Sequence, residues 1–237
     1  MKNSLMDLMR LDGKVALVTG GCQNFGAEIA HGLAEMGASV VVSSRTQQRA
    51  DDAAAELAAQ CGVRTLGVAL DLGSEDSIAA AFSRIVQVFG CIDILVNNAG
   101  GHQGQKPTGD VENESLAAFE GFVKTNLTGP FLCIREFARH AKTRGGAIVN
   151  IASVSSLIGR DRSVYAGTPM TPNPVPYTAA KAGVIGLTYD SAACLGKFGI
   201  RVNAVSPGGF ERGQPAPFVA AYSSHTMLGR MGRDGLD

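Results

Sequence analysis

The sequence has no excess charge of either sign: 21 Lys and Arg balance 21 Asp and Glu, a formal net charge of zero. That removes the electrostatic footprint expected of a nucleic-acid binder or of a protein held on an anionic membrane. No run of 18 apolar residues occurs, so no segment reads as a membrane-spanning helix. Lys2, Asp7 and Arg10 interrupt the N-terminal stretch and leave no apolar core for a secretory signal. Cysteine is sparse and odd in number: Cys22, Cys61, Cys91, Cys133 and Cys194, with no CxxC pair. A disulfide framework is therefore not expected, and a reducing, cytoplasmic setting is. The four histidines are scattered, with no HExxH and no Cys/His cluster, so no metal site is expected. Internal repeats and linkers are missing too, and residues 1–237 suit a single domain able to bury its own core.

Glycine, by contrast, is abundant. The chain has 30 of them, close to twice the ordinary share of about 7%. They follow no collagen period, so they mark positions with special backbone needs. Short runs rich in Val and Ile fall at residues 15–18, 40–42, 66–70, 92–96, 147–151 and 202–205. They lack polar alternation, which reads as parallel strands buried on both faces. Residues 27–36, 48–60, 75–89, 116–142 and 177–197 have helical composition, with Gly37 and Gly90 placed as C-terminal caps and Ser74 as an N-cap. This alternation predicts an α/β fold: a doubly wound, Rossmann-like parallel sheet in three αβα layers. Residues 159–176 break the rhythm with Pro169, Pro172, Pro174 and Pro176, which exclude a long helix or central strand. A loop that long in a compact domain is usually functional or mobile.

The first run leads into Thr19-Gly20-Gly21-Cys22-Gln23-Asn24-Phe25-Gly26, and a helix follows at once. Glycines there let a phosphate approach the backbone, and the helix N-terminus offers N–H donors and a positive dipole end. The fourth run ends in Asn97-Asn98-Ala99-Gly100 and the fifth in Asn150-Ile151-Ala152-Ser153. Tyr177-Thr178-Ala179-Ala180-Lys181 puts a tyrosine and a lysine on one helix face. Free tyrosine has a pKa of about 10, and a nearby ammonium favours its phenolate, so the pair can exchange a proton near neutrality.

These motifs resemble the classical short-chain dehydrogenase/reductase family over about residues 12–233. The family's turn is TGxxxGxG. Thr19, Gly20 and Gly26 match it, while Asn24 replaces the middle glycine. Asn tolerates left-handed backbone better than other side chains, so the change reads as conservative. The resemblance implies a nicotinamide dinucleotide along Gly20, Gln23, Asn24, Phe25 and Gly26. It implies that Asp71 accepts from the adenine amino group and Leu72 gives a backbone contact. Asn98, Ala99 and Gly100 would pass the adenine ribose, with Asn98 also bracing the sheet. Tyr177 is the implied general acid/base, and Lys181 tunes it and holds the nicotinamide ribose. Ser153 would orient the carbonyl oxygen. Asn126, in Lys124-Thr125-Asn126-Leu127, would hold a proton-relay water. Pro207 and Gly208 would reach the nicotinamide carboxamide.

The second run ends in Val42-Ser43-Ser44-Arg45, without the acid that binds the ribose 2′-hydroxyl of NAD. Arg45 can pair with a 2′-phosphate and Ser44 can hydrogen-bond beside it. NADP(H) is thus the expected cofactor and NAD(H) the second possibility, since neutral Gln23 adds no further basic group in the turn.

Two departures from the family stand out. Ser153 and Tyr177 are 24 positions apart, roughly twice the family's usual spacing. Tyr165 is nearer the usual distance, but Pro169 occupies the corresponding lysine position, so Tyr177 is the candidate. Arg160, Arg162, Tyr165 and Thr168 of the proline-rich insertion are expected to line or cover the substrate pocket, suiting an anionic or polyhydroxylated substrate. Residues 209–237 resemble the family's substrate loop and the start of its last helix, and the helix and seventh strand that follow in the family have no counterpart before Asp237. The expected activity is NADP(H)-preferring interconversion of a small secondary alcohol and a ketone or aldehyde, with a sugar or polyol derivative as substrate. A 3-oxoacyl thioester reductase is the alternative within the class, and a non-catalytic dinucleotide-binding or assembly module is the alternative outside it. A homodimer or homotetramer through helices 116–142 and 177–197 is implied by the resemblance.

Overall fold

The Val- and Ile-rich runs form six strands: β1 (Val15–Val18), β2 (Ser39–Ser44), β3 (Thr65–Ala69), β4 (Ile94–Asn97), β5 (Gly146–Ile151) and β6 (Ile200–Val205). They are seen in a computed structural model, which describes residues 4–101 and 109–235. The strands make one sheet of order β3-β2-β1-β4-β5-β6, and every neighbouring pair is parallel. The order reverses between β1 and β4. In such sheets, the crevice beyond the strand ends at that reversal is where ligands bind.

The helices are α1 (Leu5–Met9), α2 (Asn24–Glu35), α3 (Gln47–Cys61), α4 (Glu75–Phe89), α5 (Leu116–Val123), α6 (Gly129–Ala141), α7 (Val175–Leu195) and α8 (Ala216–Ser224). Alternate residues of β1 face opposite ways. Ala16 and Val18 pack with Ala30 and Ala34 of α2 and with Ala54 and Leu57 of α3. Leu17 packs with Phe82 and Ile85 of α4 and with Cys133 and Phe137 of α6. Both faces are thus covered, and each large side chain buried this way contributes about 1.5–3 kcal/mol. Ser74 caps α4 by accepting from Ser77 N at 3.2 Å, and Gly90 closes the helix at φ 78°. No described helix is long and apolar enough to cross a membrane.

The expected single helix over residues 116–142 is two helices joined by a π-helical turn, Lys124–Thr128. Such turns insert an extra residue and are frequent at functional sites. Helix α7 starts at Val175, two residues before the expected point, with Pro174 as N-cap and Pro176 in the first turn, where its missing N–H costs nothing. Neither α1 nor α8 was anticipated. The proline-rich segment and the C-terminal segment meet in a small cluster of Val164, Phe218 and Met231, flanked by Tyr165, Met170 and Tyr222. This cluster roofs the carboxyl ends of the strands. It is pinned by Gly209 N donating to Tyr222 Oη at 2.7 Å and by a bridge between Phe210 and Gly232.

Candidate active site

The turn after β1 is held from both sides. Gly20 has φ +64° and donates its N–H to Ser43 Oγ on β2 at 3.2 Å. Asn24 has φ 51° and is the one non-glycine residue with positive φ among the described residues. On the β4 side, Thr19 Oγ1 accepts from the N–H groups of Asn98 and Ala99, each at 3.0 Å. Asn98 Nδ2 donates to the carbonyls of Thr19 at 2.9 Å and Gly20 at 3.3 Å, bracing the turn against the strand. Gly26 lies so close that a Cβ there would run into the Gly20 carbonyl and the Asn98 amide.

Beyond this turn lies a cleft of about 510 Å³. Gly20, Gln23, Asn24, Phe25 and Gly26 form its floor, with Ser44 and Arg45, Asp71 and Leu72, and Asn98, Ala99 and Gly100 around it. Its donor set fits a dinucleotide: the open N-terminus of α2 for the pyrophosphate, and arginine beside the end of β2. Asp71 sits across the cleft, its carboxylate accepting from Gly73 N at 2.9 Å. Arg49, overlooked in the sequence, also lines the cleft and donates to Gln23 Oε1. It lies four residues beyond Arg45, in the first turn of α3, and that proximity was the available signal.

A second cavity, of about 870 Å³, shares Phe25, Asn98, Gly100, Gly101 and Arg212 with the cleft. Asn126, Ser153, Tyr177, Lys181, Pro207 and Gly208 all line it. Lys181 is 6% exposed and donates to the Ile151 carbonyl at 2.6 Å. Burial lowers its pKa from the usual 10.5 to about 8. Asn126, inside the π turn, donates to the carbonyls of Phe122 at 3.0 Å and Gly101 at 2.5 Å, and accepts from Gly101 N at 3.2 Å. A Cβ on Gly100 would lie 2.7 Å from Asn126 Oδ1, so glycine is what lets that amide approach, whereas Lys181 Nζ would sit at an ordinary contact distance of 3.9 Å. Ser153 Oγ accepts from Ser155 N at 3.2 Å, leaving its own proton to donate. Helix α7 is keyed to the sheet by a buried chain: Asn97 Nδ2 to Asn150 Oδ1, and Asn150 Nδ2 to Thr188 Oγ1, each 2.9 Å. Val154 N donates to the Pro207 carbonyl at 2.9 Å, tying the loop after β5 to that after β6.

Of the four insertion residues expected at the pocket, Arg160 and Tyr165 line the cavity, whereas Arg162 and Thr168 do not. Arg162 reaches the Gly109 carbonyl at 2.5 Å and Asp110 at 3.9 Å, and Thr168 Oγ1 donates to the Tyr165 carbonyl at 2.8 Å. Arg162 opens the short 3₁₀ turn Arg162–Tyr165 and Tyr165 closes it, and the two side chains leave it in different directions. At the far wall, Arg212 is held by both oxygens of Asp234, at 2.8 and 2.5 Å, and stacks over Phe210, which packs on Phe25 with centroids 5.1 Å apart.

A family model described as short chain dehydrogenase matches residues 14–217. A cis-4-hydroxycyclohexanecarboxylate dehydrogenase of Sinomonas cyclohexanicum is 37% identical over 225 residues, 93% of this chain and 84% of that one. A 3-oxoacyl-(acyl-carrier-protein) reductase of Aquifex aeolicus is 37% identical over 94% of this chain and 86% of its own length. The crystal structure of a gluconate 5-dehydrogenase from Burkholderia cenocepacia, in complex with NADP and tartrate, superposes with a TM-score of 0.85. It is 31% identical and covers 97% of this chain and 87% of that one. A parallel sheet reversing at β1, a glycine turn at that reversal, a Tyr–Lys pair beside it and these relatives lead to one conclusion: the chain belongs to the classical short-chain dehydrogenase/reductase family, as an NAD(P)-dependent oxidoreductase of alcohols and carbonyls.

Proposed function

We propose that the protein is an NADP(H)-preferring oxidoreductase acting on a small polyhydroxylated or ring-bearing secondary alcohol and its ketone. Tyr177 is its general acid/base. The observation that carries this reading is the convergence of Asn126, Ser153, Tyr177 and Lys181 on one cavity that adjoins the dinucleotide cleft. When bound, the nicotinamide accepts or supplies the hydride. Tyr177 Oη gives its proton to the carbonyl oxygen in reduction and takes it back in oxidation. Ser153 donates a hydrogen bond to the same oxygen. The Lys181 ammonium favours the phenolate and so lowers the cost of that exchange. Asn126, which fixes Gly101, would also hold a relay water beside Lys181.

Preference for NADP(H) is supported by Arg45 and Arg49 on one wall of the cleft and by the lack of an acid at the end of β2. The NADP complex of the gluconate 5-dehydrogenase agrees with it, as the two dehydrogenases of hydroxy acids agree with a hydroxylated substrate. The Aquifex reductase favours the 3-oxoacyl thioester reading as the second choice. The complete proton-transfer set weighs against a non-catalytic module. Exposed Leu116, Phe119, Phe131 and Tyr189 on α5, α6 and α7 support a homodimer or homotetramer, which the mass in solution checks.

The test follows nicotinamide absorbance with NADP and NAD against sugar acids, cyclic alcohols and 3-oxoacyl thioesters. Tyr177→Phe is expected to lower kcat by about 10²–10⁴-fold while NADP still binds. The double change of Arg45 and Arg49 to Ala is expected to weaken NADP about 10–100-fold and to leave NAD little altered. Undiminished turnover in Tyr177→Phe sinks the acid/base role, and equal losses for both cofactors sink the preference.

A further inference from the structure

We propose that the substrate carries a carboxylate and that Arg160 holds it. This rests on the oxidoreductase reading and adds the substrate class.

Arg160 lies on the wall of the larger cavity, its guanidinium carbon 6.0 Å from the centre of the Tyr177 ring. Three neutral groups fix it. Nη1 donates to Tyr165 Oη at 2.8 Å, and Nη2 donates to Ser155 Oγ. The Asn173 carboxamide, with its oxygen turned inward, accepts from both terminal nitrogens at 2.8 and 3.1 Å. None of these brings negative charge, and among the described residues no carboxylate forms an ion pair with Arg160. Of the other basic side chains on that wall, Arg212 is gripped by Asp234, His225 lies 3.2 Å from Asp161, and Lys181 is turned to the Ile151 carbonyl. Asp161 is the one acidic side chain on the described cavity wall.

A half-buried guanidinium held rigid by neutral partners keeps its charge unanswered, which is costly until an anion arrives. The Asn173 oxygen bridges the two terminal nitrogens where a carboxylate oxygen would sit, so a substrate carboxylate, bringing the charge the carboxamide lacks, displaces Asn173 from that planar fork. The phosphates of the dinucleotide have their own cleft at the glycine turn. The holder is built from the extra length between Ser153 and Tyr177. Ser155 precedes it, Tyr165 lies within it, and Asn173 sits between Pro172 and Pro174, whose rings restrict the backbone around it. Ser155 N also donates to Ser153 Oγ, so the anion holder and the oxygen-orienting serine share one turn. A hydroxy acid bound with its carboxylate on Arg160 presents its carbinol toward Tyr177.

The experiment uses matched pairs: D-gluconate against D-glucitol, and 4-hydroxycyclohexanecarboxylate against its primary amide. Each is assayed for turnover with NADP and, by calorimetry, for binding to the enzyme–NADP complex. Wild type is expected to favour the acid of a pair by about 100-fold in kcat/KM or affinity. Arg160→Gln is expected to bring that ratio within about three-fold of one. Arg160→Lys keeps the charge without the fork and recovers part of the preference. Asn173→Asp, which puts a permanent carboxylate on the fork, is expected to bring the ratio toward one and serves if Arg160→Gln does not fold. Equal handling of acid and neutral partner by wild type, or a ratio unchanged in Arg160→Gln, overturns the proposal. Acid binding that depends on Arg160 without turnover of any pair supports the carboxylate holder and overturns the proposed polyhydroxylated or ring-bearing alcohol substrate instead.

Discussion

Lys181 is a charged group placed where charge is disfavoured, and the effect on stability has a definite sign. Its pKa is about 8 in the fold against 10.5 for the ordinary side chain. Between those values the unfolded chain binds a proton that the folded chain does not, so stability rises with pH across that window. Below pH 8 both states carry the charge and the fold bears the full burial cost. Relative to Lys181→Met, the cofactor-free wild type is therefore expected to gain on the order of 3 kcal/mol between pH 8 and 10.5. Urea unfolding of both proteins at the two ends of that range checks it, and parallel trends would refute it. At this scale the sequence was informative wherever a residue belonged to a motif, as with Tyr177, Lys181 and Asn126. It was weaker for Arg49, Arg160 and Arg162. These three arginines look alike in composition, and only the direction of each side chain separates a cleft wall from a cavity wall or the outer surface.

Among the elements, the β1–turn–α2 unit concentrates the tightest packing. Gly26→Ala puts a methyl group against the Gly20 carbonyl and the Asn98 amide, which are both fixed by the brace between β1 and β4. It is expected to cost about 1–3 kcal/mol and to weaken dinucleotide binding with it. Gly32, in the same helix, has nothing within 4 Å of its would-be Cβ. Gly32→Ala is expected instead to stabilise by about 0.5–1 kcal/mol. Chemical denaturation of the two variants checks the contrast, and equal shifts would show that packing at Gly26 is not limiting. The strands were legible because doubly buried parallel strands read as unbroken Val and Ile runs, and α4 because Ser74 and Gly90 mark its ends. The π turn was not, since Lys124–Thr128 contains nothing that an α-helix would refuse. Asn126 within it bonds Gly101 across the fold, a contact that local composition does not announce. Helix α8 was hidden for a similar reason: Phe218 is its one buried side chain, so it shows almost no periodicity.

For the whole molecule, the layered architecture followed from the alternation of runs and helices, while the roof over the cavity did not. Val164, Phe218 and Met231 are far apart in sequence and meet only once the sheet has brought the ends of β5 and β6 together. The strand order has one more consequence, and it concerns time. The chain is made from residue 1 onward, and β1, β2 and β3 can pair as soon as residue 69 exists. Helices α2 and α3 are then available to cover one side of that half-sheet. Leu17, Val41 and Val68 point to the other side, whose cover comes from α4 and α6. A fragment ending at residue 72 is thus expected to self-associate, and sedimentation of a well-behaved monomer would count against this. A growing chain carries a bare apolar flank until Ala141 is made, so the pace of synthesis and the company of chaperones bear on whether the nucleotide-binding half survives to meet its catalytic half.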